Sequence, residues 1–209
     1  CFRKIQLDIP NLDAESSPIE DILTGLMQKK PKKQDASVVG FKLMVGQLYN
    51  EDVNAVARFI KENNIKILSL VRTNVLRRCF SLSQLMETGD ATVHQDIKQK
   101  KVHVKPEFWT WCANRDKTLE EQRVEFLRQI PKNLVMNLTY EDLCANTETK
   151  LGEIQAFVGF KSPFVWNTNV VKMHSADLKD LIQNWEETEK EIINVFGESA
   201  VNEWRNPVC

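Results

Sequence analysis

A short apolar run that ends in an arginine and leads directly into a helix constrains the fold most. Residues 65–71, Ile-Lys-Ile-Leu-Ser-Leu-Val, are apolar enough for a central strand of a parallel sheet. Arg72 follows this run, and helical periodicity predicts a helix over residues 74–87. In α/β folds ligands bind at the carboxyl ends of strands, where the next helix presents free backbone N–H groups. The segment therefore predicts an anion site at Arg72.

The order of the other elements predicts an α/β fold. Strands are expected over residues 36–45, 65–71 and 134–138, where apolar side chains cluster. Helices are expected over residues 17–29, 50–62, 74–87, from Pro106 through Trp111, 118–129, 147–158 and 175–195, with Asn50, Thr118 and Ser175 as caps. Residues 88–104 lack periodicity. Alternating strands and helices imply a right-handed βαβ unit, so we expect a three-layer fold with a central parallel sheet flanked by helices.

Composition limits the class of protein. The 209 residues are 42% hydrophobic and carry a net charge of −1, from 28 Lys and Arg against 29 Asp and Glu. These values fit one globular domain over residues 1–209 and exclude a globally basic nucleic-acid binder. A site for an anionic ligand must therefore be local. The sequence has no apolar run near the roughly 18–20 residues that span a bilayer.

The cysteines bear on metal chemistry and compartment. Cys1, Cys79, Cys112, Cys144 and Cys209 are widely spaced and form no Cys-x-x-Cys pair. This spacing argues against zinc and thioredoxin chemistry, and the histidines lack metal-ligand spacing, so no metal is expected. The odd number favours buried free thiols and leaves one or two disulfides as the alternative. The Golgi lumen and the cytoplasm both stay open as compartments.

The helix after Arg72 carries its polar residues on one stripe. Asn74, Arg77, Arg78 and Ser81 fall at i, i+3, i+4 and i+7, whereas Val75, Cys79, Leu82 and Met86 form an apolar row. Arg72 suits bidentate binding of a phosphate, to which Ser81 would donate its hydroxyl from the same side. The alternative is an arginine that caps a neighbouring carbonyl, beside a stripe that faces solvent.

This segment resembles the 3′-phosphate-binding motif of sulfotransferases that use 3′-phosphoadenosine-5′-phosphosulfate. In that family a strand ends in Arg, and a Ser follows about eight or nine residues later. Here Ser81 lies nine residues after Arg72, as in the carbohydrate and bacterial branch. Residues 138–143, Leu-Thr-Tyr-Glu-Asp-Leu, resemble the family's Tyr-Glu-Asp-Leu segment. The resemblance implies that Arg72 and Ser81 bind the 3′-phosphate and Tyr140 the adenine. We expect Glu141 and Asp142 to tie down the loop.

The resemblance covers residues 37–195 and also implies roles for two lysines. Residues 38–44 resemble the strand before the phosphate motif, and Lys42 is then the catalytic residue beside the transferring sulfuryl group. The alternative is that Lys42 points to solvent. Met44 stands where the small-phenol branch carries a catalytic His, so no general base is assigned. Residues 171–185 resemble the segment before the last long helix, which implies that Lys172 binds the donor phosphate.

One element of the family pattern is absent. No Ser/Gly/Thr-rich loop that would cradle the 5′-phosphosulfate precedes Lys42. We therefore expect the first strand and its phosphate loop to be missing and Cys1 to lie after them. The implied reaction is transfer of a sulfuryl group from the nucleotide donor to a hydroxyl or amine, expected on a carbohydrate. The alternatives are a non-catalytic nucleotide-binding module and another phosphate-binding α/β enzyme such as a kinase.

Overall fold

The computed structural model describes residues 40–48, 52–88, 101–160 and 177–205. Its helices are α1 (Val53–Glu62), α2 (Val75–Thr88), α3 (Glu107–Arg128), α4 (Tyr140–Ala145), α5 (Thr147–Val158), α6 (Leu178–Leu181) and α7 (Trp185–Arg205). Its strands are β1 (Ile67–Val71) and β2 (Val135–Thr139), with 3₁₀ turns at Val45–Leu48 and Lys132–Leu134. The two strands pair in parallel. The described part is thus mostly helical with a small parallel sheet, which is α/β in the general sense.

The chain divides into two compact units. Unit 1 consists of Cys1–Ser69, Glu121–Leu138 and Glu148–Asn167, and unit 2 of Leu70–Glu120, Thr139–Thr147 and Thr168–Cys209. Each unit has its own cluster of buried side chains among the described residues. A single domain over residues 1–209 stays a prediction, since compact units also occur within one domain.

The core of unit 1 forms where α1 packs with the end of α3. Its buried residues are Leu48, Val56, Ala57, Ile60, Phe126, Ile130 and Leu134. The Asp52 carboxylate caps α1 by accepting hydrogen bonds from the backbone N–H groups of Asn54 and Ala55. Asn64, which has a positive φ of 50°, follows the helix. On the sheet, the guanidinium of Arg123 donates to the buried hydroxyl of Ser69, so α3 is bonded to β1.

The core of unit 2 forms around α2, which packs against α7. Its buried residues are Leu76, Cys79, Phe80, Val102, Val104, Trp109, Cys112, Leu178, Leu181, Ile182, Ile192, Val201 and Trp204. The rings of Phe80 and Trp204 meet edge to face. A disulfide joins Cys79 of α2 to Cys112 of α3. The prediction of free thiols is therefore wrong for Cys79 and Cys112, and the alternative of a disulfide is confirmed there. Cys144 is a free thiol.

The predicted strand over residues 36–45 is wrong where the structure describes it. Residues 40–44 are irregular, Val45 begins a 3₁₀ turn, and Phe41 and Met44 are exposed. Apolar composition favours a strand only where a neighbour supplies backbone hydrogen bonds, and neither described strand pairs with this segment. The strand–helix–strand unit built on it is therefore not present in the described residues, and the three-layer sheet stays a prediction.

Several predicted boundaries also change. Asp52, and not Asn50, caps the helix that ends at Glu62. The two helices expected around Pro106 and Thr118 are one, α3, because the Thr118 hydroxyl donates to the carbonyl of Asn114 instead of capping a new helix.

The final long helix differs from the prediction as well. It is divided into α6 and α7, and Gly197 makes a kink in α7 with a φ of 81°, which favours glycine. Ser175 lies outside the described residues. Within the described ranges, no helix combines the length and the hydropathy that crossing a membrane requires.

We expect the Cys79–Cys112 disulfide to stabilise the protein substantially. It closes a loop with a sequence separation of 33 residues inside the core of unit 2. Chain entropy predicts that reduction lowers the free energy of unfolding by about 2–4 kcal/mol. Urea unfolding of oxidised and reduced protein measures this difference. Cys144→Ala should keep the difference, and Cys79→Ala/Cys112→Ala should abolish it. Equal midpoints for oxidised and reduced wild type would contradict the expectation.

Candidate functional site

Arg72 and Tyr140 come together in unit 2, each directly after one of the paired strands. Arg72 follows β1 and Tyr140 follows β2, so the parallel pairing brings both to the carboxyl ends of the strands. The guanidinium carbon of Arg72 lies 4.8 Å from the centroid of the Tyr140 ring, a cation–π contact. The Nε atom of Arg72 is buried and has no hydrogen-bond partner among the described residues. The Nε–H donor of Arg72 is therefore left for a further partner.

The residues that follow Arg72 and Tyr140 form a second contact between the two segments after β1 and β2. The carboxylate of Glu141 accepts a hydrogen bond from the backbone N–H of Thr73, at 3.0 Å, and another from that of Asn74, at 3.1 Å. Asn74 in turn caps α2, since its Oδ1 accepts from the N–H of Arg77 at 3.0 Å. Glu141 thus ties the loop after β1 to the start of α4, as the sequence predicts for this residue.

These contacts determine the charge of Glu141. Burial would raise the pKa of its carboxyl, but the hydrogen bonds from the backbone N–H groups of Thr73 and Asn74 outweigh burial. The pKa of Glu141 therefore lies below its ordinary value of 4.5. The positive end of the α2 dipole also favours the ionised form. At neutral pH the carboxylate is charged and accepts both hydrogen bonds.

Arg77 is buried inside unit 2. The alternative interpretation, in which the polar stripe of the helix faces solvent, is therefore wrong at this residue. Its side chain is 95% buried, and its guanidinium donates to the carbonyl of Trp204 at 3.0 Å. The guanidinium carbon also lies 4.6 Å from the Trp204 ring centroid. Burial lowers the pKa of Arg77, and the nearby charge of Arg72 lowers it further. Two arginines thus bring positive charge to the carboxyl end of β1.

The remaining members of the predicted stripe have other partners. Arg78 forms an ion pair with Asp116 of α3. The Ser81 hydroxyl is half-buried and donates to the carbonyl of Arg77, one turn earlier, at 3.0 Å. The predicted apolar row is confirmed at Cys79, which is buried, and at Val75 and Leu82, which pack against the core, whereas Met86 is 64% exposed. The buried face also includes Leu76 and Phe80.

Tyr140 has a second neighbour at helical spacing. Cys144 lies one turn later in the same helix, α4. Burial and, to a lesser extent, the nearby Cys144 thiol raise the pKa of Tyr140, while the charges of Arg72 and Arg77 act in the opposite direction. The phenol is therefore neutral at physiological pH and keeps a polar group beside the Arg72 guanidinium.

The predicted site residues fall in different parts of the chain. Arg72, Ser81 and Tyr140 lie in unit 2, whereas Lys42 is exposed in the irregular segment of unit 1. The prediction for Lys172 lies outside the described residues. Among the described residues, no three His, Cys, Asp or Glu side chains group as metal ligands do. Sequence reasoning missed the burial of Arg77, because its partner Trp204 is 127 residues away.

Comparisons of the chain with models of known protein families, with curated proteins and with solved structures found no match.

The Glu141 contacts predict a pH-dependent contribution to stability. The pKa of Glu141 is lower in the folded chain than the ordinary 4.5, so its stabilisation is present above that value and is lost as pH falls through the folded pKa. We expect Glu141→Gln to be less stable than wild type at pH 7 and to approach it below pH 4.5. Urea unfolding between pH 7 and pH 3 measures this convergence.

The exposed Glu121, in the middle of α3, gives a matched control. Glu121→Gln removes the same charge and should change the free energy of unfolding little at any of these pH values. A stability difference for Glu141→Gln that stays constant from pH 7 to pH 3 would contradict the assignment.

Proposed function

We propose that this chain is a sulfotransferase that uses 3′-phosphoadenosine-5′-phosphosulfate and transfers its sulfuryl group to a hydroxyl or amine of a carbohydrate. The observation that carries the proposal is the pairing of Arg72 with Tyr140 at 4.8 Å, with a buried Arg72 Nε that lacks a hydrogen-bond partner among the described residues. A guanidinium held against an aromatic ring offers a cation to a phosphate and a flat surface to a base. The resemblance of the sequence motifs assigns the same two residues, Arg72 and Tyr140, to binding of this donor.

The other side chains support a site for an anion. Arg77 adds a second positive charge beside Arg72, and neither of its contacts with Trp204 neutralises that charge. Ser81 lies one turn beyond Arg77 on α2, and its hydroxyl turns from the Arg77 carbonyl to the 3′-phosphate when the donor binds. Tyr140 takes the adenine end. Lys172 is proposed to contact the donor phosphate.

Catalysis by such a site is positioning plus electrostatic stabilisation. The acceptor oxygen or nitrogen attacks the sulfur in line, the bond from sulfur to the bridging phosphate oxygen breaks, and adenosine 3′,5′-bisphosphate leaves. The acceptor's proton passes to solvent, since no base is assigned. Lys42 is proposed to neutralise the non-bridging oxygens during transfer. The Cys79–Cys112 disulfide favours the Golgi lumen over the cytoplasm, because disulfides persist in oxidising compartments.

A non-catalytic nucleotide-binding module is the second candidate. It is favoured by Lys42, which lies exposed in an irregular segment of unit 1 and not on a strand. In that case Arg72, Ser81 and Tyr140 would bind the nucleotide without any transfer step.

We expect the chain to bind adenosine 3′,5′-bisphosphate through Arg72. Titration calorimetry should show saturable binding that Arg72→Ala weakens about 10- to 100-fold, the effect of losing hydrogen bonds to a charged group. Arg58→Ala, at an exposed position of α1, removes the same charge and should bind as wild type does. No saturable binding to wild type, or equal loss in both variants, would contradict the proposal. ATP bound in preference would indicate a kinase-like enzyme.

Catalysis is tested separately from binding. Lys42→Met should abolish sulfuryl transfer to a panel of carbohydrate acceptors while adenosine 3′,5′-bisphosphate still binds, because Lys42 is assigned to the transferring group alone. Release of the bisphosphate from the donor measures transfer. Lys61→Met, at an exposed position of α1, is the control. Binding by wild type without transfer to any acceptor would favour the non-catalytic module.

A further inference from the structure

We propose that Glu141 is a positioning residue for the nucleotide site, which holds Arg72 against Tyr140 by fixing the two residues that follow Arg72. This inference rests on the proposed function for the identity of the ligand. The juxtaposition that carries it is a double contact between two loops: Arg72 lies on the Tyr140 ring, and the next residues, Thr73 and Asn74, donate to Glu141.

The geometry leaves little freedom at Arg72. Residues 72–74 and 140–141 are adjacent along each chain segment, so the two hydrogen bonds at 3.0 and 3.1 Å fix the backbone beside the stacked guanidinium. The same carboxylate binds the capping residue Asn74 and so couples the loop to the first turn of α2. A change at Glu141 therefore reaches Arg72 through one peptide unit.

A glutamine at this position cannot replace the carboxylate fully. Its amide has one oxygen, so it can accept from the N–H groups of Thr73 and Asn74 only through a shared atom, and without a charge. The Arg72 side chain has no hydrogen bond at Nε among the described residues to hold it in place. Loss of the backbone contact should therefore release Arg72 from the Tyr140 ring.

The charge of Glu141 and its positioning role predict opposite changes in nucleotide affinity for the Glu141→Gln variant. Glu141 is a negative charge close to Arg72 and Arg77, and removing it makes the site more positive. By charge alone, Glu141→Gln would bind an anion more tightly. If positioning dominates, as proposed, the variant binds adenosine 3′,5′-bisphosphate about tenfold more weakly. The sign of the change in affinity therefore separates the two roles.

The experiment uses the full chain and two readouts, with Glu121→Gln as the matched control. The first is the affinity for adenosine 3′,5′-bisphosphate, with each variant shown to be folded at the temperature used. The second needs no nucleotide: in protein labelled with ¹⁵N-arginine, the Arg72 Nε–H resonance, identified by its loss in Arg72→Lys, should be shifted upfield by the Tyr140 ring. Glu141→Gln should move this resonance towards the position of an unstacked arginine.

The outcomes distinguish this inference from the proposed function. Weaker binding together with the resonance shift supports the positioning role. Tighter or unchanged binding by folded Glu141→Gln overturns it, and so does an Arg72 resonance that does not move. If wild type binds no nucleotide, the proposed function fails, while the resonance still decides whether Glu141 positions Arg72.

Discussion

The carboxylate of Glu141 is the contact on which the arrangement around Arg72 depends. Paired parallel strands bring the loops that follow them to one edge, but pairing alone does not fix the loops. Glu141 accepts from two consecutive backbone N–H groups of the loop after β1, and Asn74, one of these donors, caps α2. The end of β1, the loop after it and the start of α2 are thereby joined through the side chain of Glu141. Arg72 and Tyr140 take their mutual position from this junction.

Local signals predicted the parts of the fold that local interactions determine. The strand near residues 65–71, the helix that follows it, the strand before Tyr140 and the helix of residues 147–158 are confirmed, because their apolar periodicity and caps lie within each segment. The same reasoning failed over residues 40–45. A strand there needs a pairing partner, and an apolar run carries no information about whether one is available.

The contacts around Arg72 could be predicted only in part, for a similar reason. The proximity of Arg72 and Tyr140 follows from their positions after two parallel strands, which the sequence pattern contains. The side chain of Arg77 could not be predicted, because helical spacing gave it the same stripe as Ser81 and left its exposure open. Trp204 determines its burial from a distant part of the chain, by offering both a carbonyl oxygen and an aromatic face. The disulfide was likewise one of two readings of widely spaced cysteines.

The sequence distances within unit 2 imply an order of assembly during synthesis. The Cys79–Cys112 bond spans 33 residues, whereas Arg77 lies 127 residues before Trp204, which also contacts Phe80. On the ribosome, α2 and α3 can therefore be joined covalently long before α7 exists to cover them. Until α7 has been synthesised, the Arg77 guanidinium is in water and the Phe80 ring lacks its contact with Trp204. An early covalent link limits the misfolded alternatives open to this nascent chain, because α2 is already held to α3 when α7 arrives.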